Sequence, residues 1–247
     1  MKIINTLFLS FVFSLTSIAQ QMTATTRDAI NREGLAVMSA NNTSLAFFDI
    51  KGSKGSVVGN SYLDSTWTLG SVKLFQKIGA PGREGDSIAN VPLRLDLYTN
   101  ELELKANDAK DIRAVKGNQI RFFTLESPQR RIFLNARSFR SEDNLQGFVE
   151  LVAGGRISLV EFTKLNIIKP NFNEALSVGS KDTKLVKTSQ YYVVKGNTLF
   201  PLTTSKKKVL DALADRADDV EKFIKTNSLN LKSRTDLAKV FEYYNNL

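Results

Sequence analysis

The sequence predicts a mainly β protein with C-terminal α-helices: an antiparallel meander forming a sandwich or open barrel, followed by a two-helix tail packed on it. Three observations carry this. Apolar and polar residues alternate with period two over residues 44–202, glycine-containing turns punctuate the alternation, and at Thr204 the period lengthens to three and four residues. In chain order, residues 44–50 and 70–76 read as the first strands. Leu93, Leu95 and Leu97 then alternate with Arg94, Asp96 and Tyr98, and after Thr99-Asn100 Leu102 and Leu104 alternate with Glu101, Glu103 and Lys105. That is a hairpin with one buried and one wet face. Gly117-Asn118, Gly154-Gly155 and Gly196-Asn197 each separate two further strand-like runs, and glycine supplies the positive φ of tight hairpins. A strand over 131–139 brings the total to about ten, with long loops expected at 78–90 and 169–189.

The tail follows from the change of period. Val209, Leu210, Leu213, Val220, Phe223 and Ile224 form one stripe behind Ser205 as a cap, and Asn227-Ser228 ends that helix. A second helix starts at Ser233-Arg234-Thr235-Asp236, a capping box with Asp in place of Glu, and carries Leu237, Val240, Phe241 and Tyr244 on one side. Neither helix is long enough to stand alone, so both must bury their stripes on each other and on the sheet.

The amino terminus reads as a secretory signal peptide over residues 1–19: Lys2 is its charge, 3–15 its apolar run, and Ser17-Ile18-Ala19 its small-residue cleavage site. The run is too short to span a bilayer, so no transmembrane span is expected in the mature chain. Residues 20–43 form a polar extension, 44–203 the β domain and 204–247 the helical pair. The expected location is periplasmic or extracellular. The chain has no Cys, so its amino terminus cannot be lipidated on cysteine and no disulfide can staple it. It has no His either, which removes Ser-His-Asp and Cys-His catalysis and the common zinc and haem sites. No cofactor is expected.

The chain resembles a broad group of exported β-rich proteins of Bacteroidota-type bacteria. The residues that carry the resemblance are Gly59-Asn60-Ser61-Tyr62-Leu63 with Trp67, Gly70 and Val72, the hairpin at 98–104, and Gly147-Phe148-Val149-Glu150-Leu151-Val152 leading into Ile157-Ser158-Leu159. It continues through Gln190-Tyr191-Tyr192-Val193-Val194-Lys195, Ser205-Lys206-Lys207-Lys208 and the closing Tyr243-Tyr244-Asn245. The segment 23–53 departs from it as an addition. The resemblance implies export and a β-rich body with a helical tail; the group has no assigned activity and transfers no site residues.

Side chains that could carry chemistry resolve mostly into structure. Glu101 and Glu103 are spaced like a glycosidase pair, but they alternate with leucines on the wet face. Ser205 with Lys208 matches Ser-x-x-Lys at a helix start, where the serine caps and the lysine is solvated. Gly52-Ser53-Lys54-Gly55-Ser56 lacks the glycine spacing of a phosphate loop. The formal charge is +9, or +8 without Lys2, and only Arg130, Arg131, Arg137 and Arg140 cluster without an intervening acid. If one strand runs through 131–139, Arg131, Phe133, Arg137 and Phe139 share a face that could grip an acidic partner or lipid phosphate; the bland alternative is core phenylalanines under arginine stems. Asp86-Ser87-Ile88 matches a short O-glycosylation pattern at Ser87. Export makes nucleic acid an unsuitable partner. The function expected is that of an exported, non-enzymatic envelope protein acting by protein–protein interaction, as an accessory to an outer-membrane assembly or export machine. The alternative is a periplasmic carrier of an apolar or anionic small ligand inside the β body.

Overall fold

A computed structural model describes residues 55–81, 83–105 and 111–247, all within the compact unit Ser53–Leu247. The expected strand at 44–50, the extension at 20–43 and the leader lie outside the described residues. The strands are β1 (Val57–Val58), β2 (Thr68–Ile78), β3 (Gly85–Asp96), β4 (Glu101–Lys105), β5 (Ile112–Lys116), β6 (Ile120–Leu125), β7 (Arg131–Asn135), β8 (Phe148–Ala153), β9 (Ile157–Ile168), β10 (Thr183–Lys195) and β11 (Thr198–Leu202). They form one sheet in the order β1-β10-β9-β8-β7-β6-β2-β3-β4-β5, with β11 also on β10. All ladders are antiparallel except β1 on β10. The body is therefore mainly β, as the alternation predicts, and built from a single unclosed sheet.

The sheet curls at its β5 end, and chain length shows why. β5 and β6 lie four positions apart in the order, roughly 19 Å in a flat sheet. Yet only the 3₁₀ turn Gly117–Gln119 joins them, and four residue steps reach at most about 14 Å. The strands from β6 through β2 to β5 must wrap round a common interior. Gly117 makes the wrap close: its N–H donates to the Asn100 carbonyl at 2.8 Å, and a Cβ there would lie 2.6 Å from that oxygen. The expected Gly117-Asn118 hairpin is thus replaced by a corner, because β5 and β6 pair with other strands. Leu93, Leu102, Ile120 and Phe123, all fully buried, fill the interior, with Phe123 stacked on Phe133 at 4.6 Å between ring centroids.

The helical tail covers one face of the other half of the sheet. Instead of one long helix before Asn227 there are two, α1 (Lys206–Ala212) and α2 (Ala217–Thr226), joined by a 3₁₀ turn at Ala214–Arg216; α3 spans Arg234–Asn245. The break lets Leu213 bury completely while Asp215 turns to accept from the Tyr244 hydroxyl at 2.8 Å. Val209, Val220, Val240 and Phe241 bury against Leu159 and Val193 of the sheet. Ser205 stands at the start of α1 without a side-chain cap bond, whereas Ser233 accepts from the Asp236 N–H as the capping pattern predicts. At its far end Asn245 accepts from the Ile157 N–H and donates to the Ile157 carbonyl, clamping the tail to the β8–β9 turn.

Two expected loops are shorter than predicted. β3 begins at Gly85 and β10 at Thr183, so residues 85–90 and 183–189 are strand. Both stretches are mostly exposed, with Ile88 packed at the edge of the core and Leu185 half-buried as their inward apolar residues, so only weak apolar alternation marks them.

Candidate functional site

The arginine and phenylalanine residues singled out by sequence do not share one face. β7 ends at Asn135, and a 3₁₀ turn at Ala136–Ser138 carries Arg137 and Phe139 off the strand. Asn135, itself buried, ends the strand: its side chain accepts from the Arg137 N–H and donates to the Gly117 and Ile120 carbonyls at 2.8 and 2.6 Å. Phe133 is core, with the Arg131 guanidinium 5.0 Å from its ring, and Phe139 packs against the buried cluster around Val149 and Tyr192. That is the core arrangement with arginine over it. Ser87 is exposed on β3 opposite Lys73, not in a loop, and Lys73 reaches its hydroxyl at 3.2 Å.

Arg131 is committed to an ion network around the buried Glu150 carboxylate. Its Nε and Nη2 donate to Glu150 at 2.8 and 2.7 Å, and Arg234 at the start of α3 donates to the same carboxylate at 2.5 Å. Arg234 Nη1 also lies 3.2 Å from Glu161 Oε2, which has no well-aligned hydrogen bond. Burial pushes the Glu150 carboxyl up, but the two guanidinium bonds outweigh it and hold it below its ordinary value. Two arginines balance two glutamates, so the network is neutral and joins β7, β8 and β9 to the tail. Sequence did contain a signal for it: a glutamate inside Phe-Val-Glu-Leu-Val-Ala must find a cation once that strand is buried.

Of the two glutamates on β4, Glu103 is held in an ion pair. Glu103 is bound by Arg94 at 2.6 and 3.0 Å and by the Tyr62 hydroxyl at 3.2 Å, with Arg94 lying over the rings of Tyr62 and Trp67. Among the described residues no group of three or more acidic, His or Cys side chains could hold a metal, and no helix is long and apolar enough to cross a membrane.

The outer edge of β10 is interrupted. β1 pairs only with Thr183 and Lys184, and β11 pairs only with Tyr191–Lys195. Between them, residues 185–190 have no ladder partner on that side among the described residues, although all are paired to β9 on the other. The segment 59–63 lies against 185–187, where a Cβ on Gly59 would stand 2.5 Å from the Leu185 carbonyl and the Lys187 ammonium donates to Asn60 Oδ1 and the Leu63 carbonyl, so the open stretch is 188–190. Beside this gap lies a cleft of ≈ 690 Å³ bounded by Asp143–Gln146, Phe162, Lys164 and Tyr192. The Tyr192 hydroxyl donates to Asp143 at 2.9 Å; burial together with that bond pushes its pKa up to about 12. Exposed apolar residues gather at the end of the same ribbon: Val58 lies opposite Lys184, which lies opposite Ile168, with Val57, Ile167 and Val186 adjacent. No family model, curated protein or solved structure matches the chain.

Proposed function

We propose that this chain is an exported, non-enzymatic protein of the cell envelope that acts by binding an extended segment of another envelope protein, as an accessory to an outer-membrane assembly or export machine. One observation carries the reading: β10 has no ladder partner on its outer side along residues 188–190, and a cleft lined by the same residues lies alongside to receive side chains. An added strand gains affinity from main-chain hydrogen bonds and specificity from such a cleft. The exposed apolar residues at the ribbon end fit a contact surface better than a solvated one. The signal-peptide pattern and the lack of Cys and His support export and binding over catalysis. The alternative of a ligand carried inside the β body has less support, because side chains fill the sheet's interior.

The test is site-specific photocrosslinking in intact cells, with the photoreactive residue placed at Val186 or, as a control on the opposite sheet edge, at Arg113. A defined protein captured from position 186 and absent from position 113 is the expected result. Repeated recovery of a bare monomer from both positions overturns the proposal.

A further inference from the structure

The chain has a second recessed surface that the proposed strand binding does not use. Leu74, Phe75, Ile78, Val115, Lys116 and Arg137 line an open cleft of ≈ 510 Å³ at the curled end of the sheet, together with the amides of Asn118 and Gln119. Two guanidiniums lie near the Phe75 ring: Arg137, which lines the cleft, at 5.0 Å from the centroid and Arg121, just outside the lining, at 5.6 Å. Neither placement follows from regular strand geometry. Leu74 pairs with Ile120 and Lys73 with Phe122, so Arg121 is the extra residue of a β-bulge, the device that re-aims a side chain. Arg137 leaves β7 through the 3₁₀ turn that Asn135 organises, and its Nη1 donates to the Asn118 carbonyl at 2.7 Å.

Several other arginines are neutralised, Arg94 by Glu103, Arg131 and Arg234 by Glu150 and Arg156 by Asp215, whereas the exposed Arg83 and Arg140 form no ion pair among the described residues and stand apart from this cleft. Arg121 and Arg137 form no ion pair among the described residues, and no carboxylate lines the cleft. Two cations beside one ring with no carboxylate in the cleft leave a local positive charge that an anion would balance. The guanidinium fork suits a tetrahedral or planar oxyanion, and Lys116 at the rim adds a third cation. The floor is aromatic and aliphatic, which suits an apolar body attached to the anion. We infer that this cleft binds a phosphomonoester carried on an apolar or aromatic group, the phosphate at Arg137 with Arg121 reaching it from beside the cleft and the apolar part over Phe75 and Ile78.

The ligand's source, a free phosphomonoester or a lipid headgroup, is separated by two arms of one experiment. The full exported chain is titrated with phenyl phosphate while the arginine Nε–H resonances are followed by NMR, and is sedimented with phosphatidylcholine vesicles with and without phosphatidic acid. Phenyl phosphate is expected to shift two arginine signals, which R121Q and R137Q assign, and the double variant is expected to weaken binding by about tenfold or more. Both side chains are exposed, so folding should survive, and an unchanged Tm verifies this. R216Q, which removes one charge on the tail, should bind as the parent does. Sedimentation that requires phosphatidic acid and both arginines supports the lipid source. Binding of phenyl phosphate alone supports the soluble one. No arginine shift with phenyl phosphate, or affinity for either probe unchanged in the double variant, overturns the inference.

Discussion

Glu150→Gln tests whether the helical tail is held by charge as well as by packing. The parent carboxylate is 7 % exposed and takes three guanidinium hydrogen bonds from two arginines. Glutamine keeps one acceptor oxygen but turns an NH₂ toward donors, and leaves Arg234 with Glu161 while Arg131 loses its one ion-pair partner among the described residues. Removing one member of a buried pair costs about 3 to 5 kcal/mol. The arginines reach water, with side chains 29 % and 42 % exposed, and part of their lost interaction is replaced by solvation, which puts the expectation near the lower end, at about 3 kcal/mol. For a chain of this size that corresponds to a fall in Tm of roughly 6 to 12 °C in calorimetry at neutral pH. The pH dependence supplies a second readout. The folded-state carboxyl is held low, so its contribution is complete above the unfolded value of about 4.3 and lost as pH falls through the lower folded value. The variant should lack that acid-labile component. A fall in Tm of less than about 2 °C, with parent and variant losing stability in parallel below pH 4, would refute the assignment of the network as the tail's anchor.

Phe241→Ala deletes a fully buried ring between α3 and the sheet and should cost about 3 to 5 kcal/mol in urea unfolding; an unchanged midpoint would mean that the tail is detached. Tyr192→Phe should flatten the alkaline limb of the stability curve. The raised phenol pKa contributes stability that is complete below about pH 10 and lost as pH rises through about 12, so a variant still losing stability in that window at the parent's rate would contradict the assignment.

The parts of the fold legible in the sequence are those where period and burial agree. Leu93, Leu95, Leu102 and Leu104 alternate because one face of their hairpin closes on the interior of the curled sheet, and each of the four is buried. The turns at Gly154-Gly155 and Gly196-Asn197 join neighbouring strands as their glycines imply. Where the chain runs beyond the core, as in Thr-Lys-Leu-Val-Lys-Thr-Ser-Gln at the start of β10, both faces are mostly wet and the alternation weakens while the strand persists through its ladder with β9. The 131–139 segment misleads for the opposite reason. Its alternation continues past Asn135, but the buried Asn135 amide bonds three backbone groups and turns the chain. The helix break at Leu213 is likewise tertiary in origin, since Ala214, Asp215 and Arg216 contain neither Pro nor Gly, and Asp215 is drawn out by Tyr244 and Arg156.

Both surfaces proposed to bind lie where regular structure is interrupted, and the interruptions have a common physical basis. A complete ladder satisfies its own amides, and a filled interior leaves no recess, so a regular sheet offers a partner little beyond solvated side chains. The gap at residues 188–190 leaves an edge for an incoming strand, whereas the bulge at Arg121 and the turn at Arg137 leave cations without carboxylates. Buried groups secure the second interruption: Asn135 ties the Arg137 turn to the β5–β6 corner, and Gly117 admits the close approach of Asn100 that forms that corner. A substitution at Asn135 should therefore lower binding at the cationic cleft even though Asn135 does not line it, because it sets where Arg137 stands. Strand binding at β10 should be insensitive to the same change, since none of the hydrogen bonds made by Asn135 reaches β9 or β10. The two surfaces are thus separable by mutation.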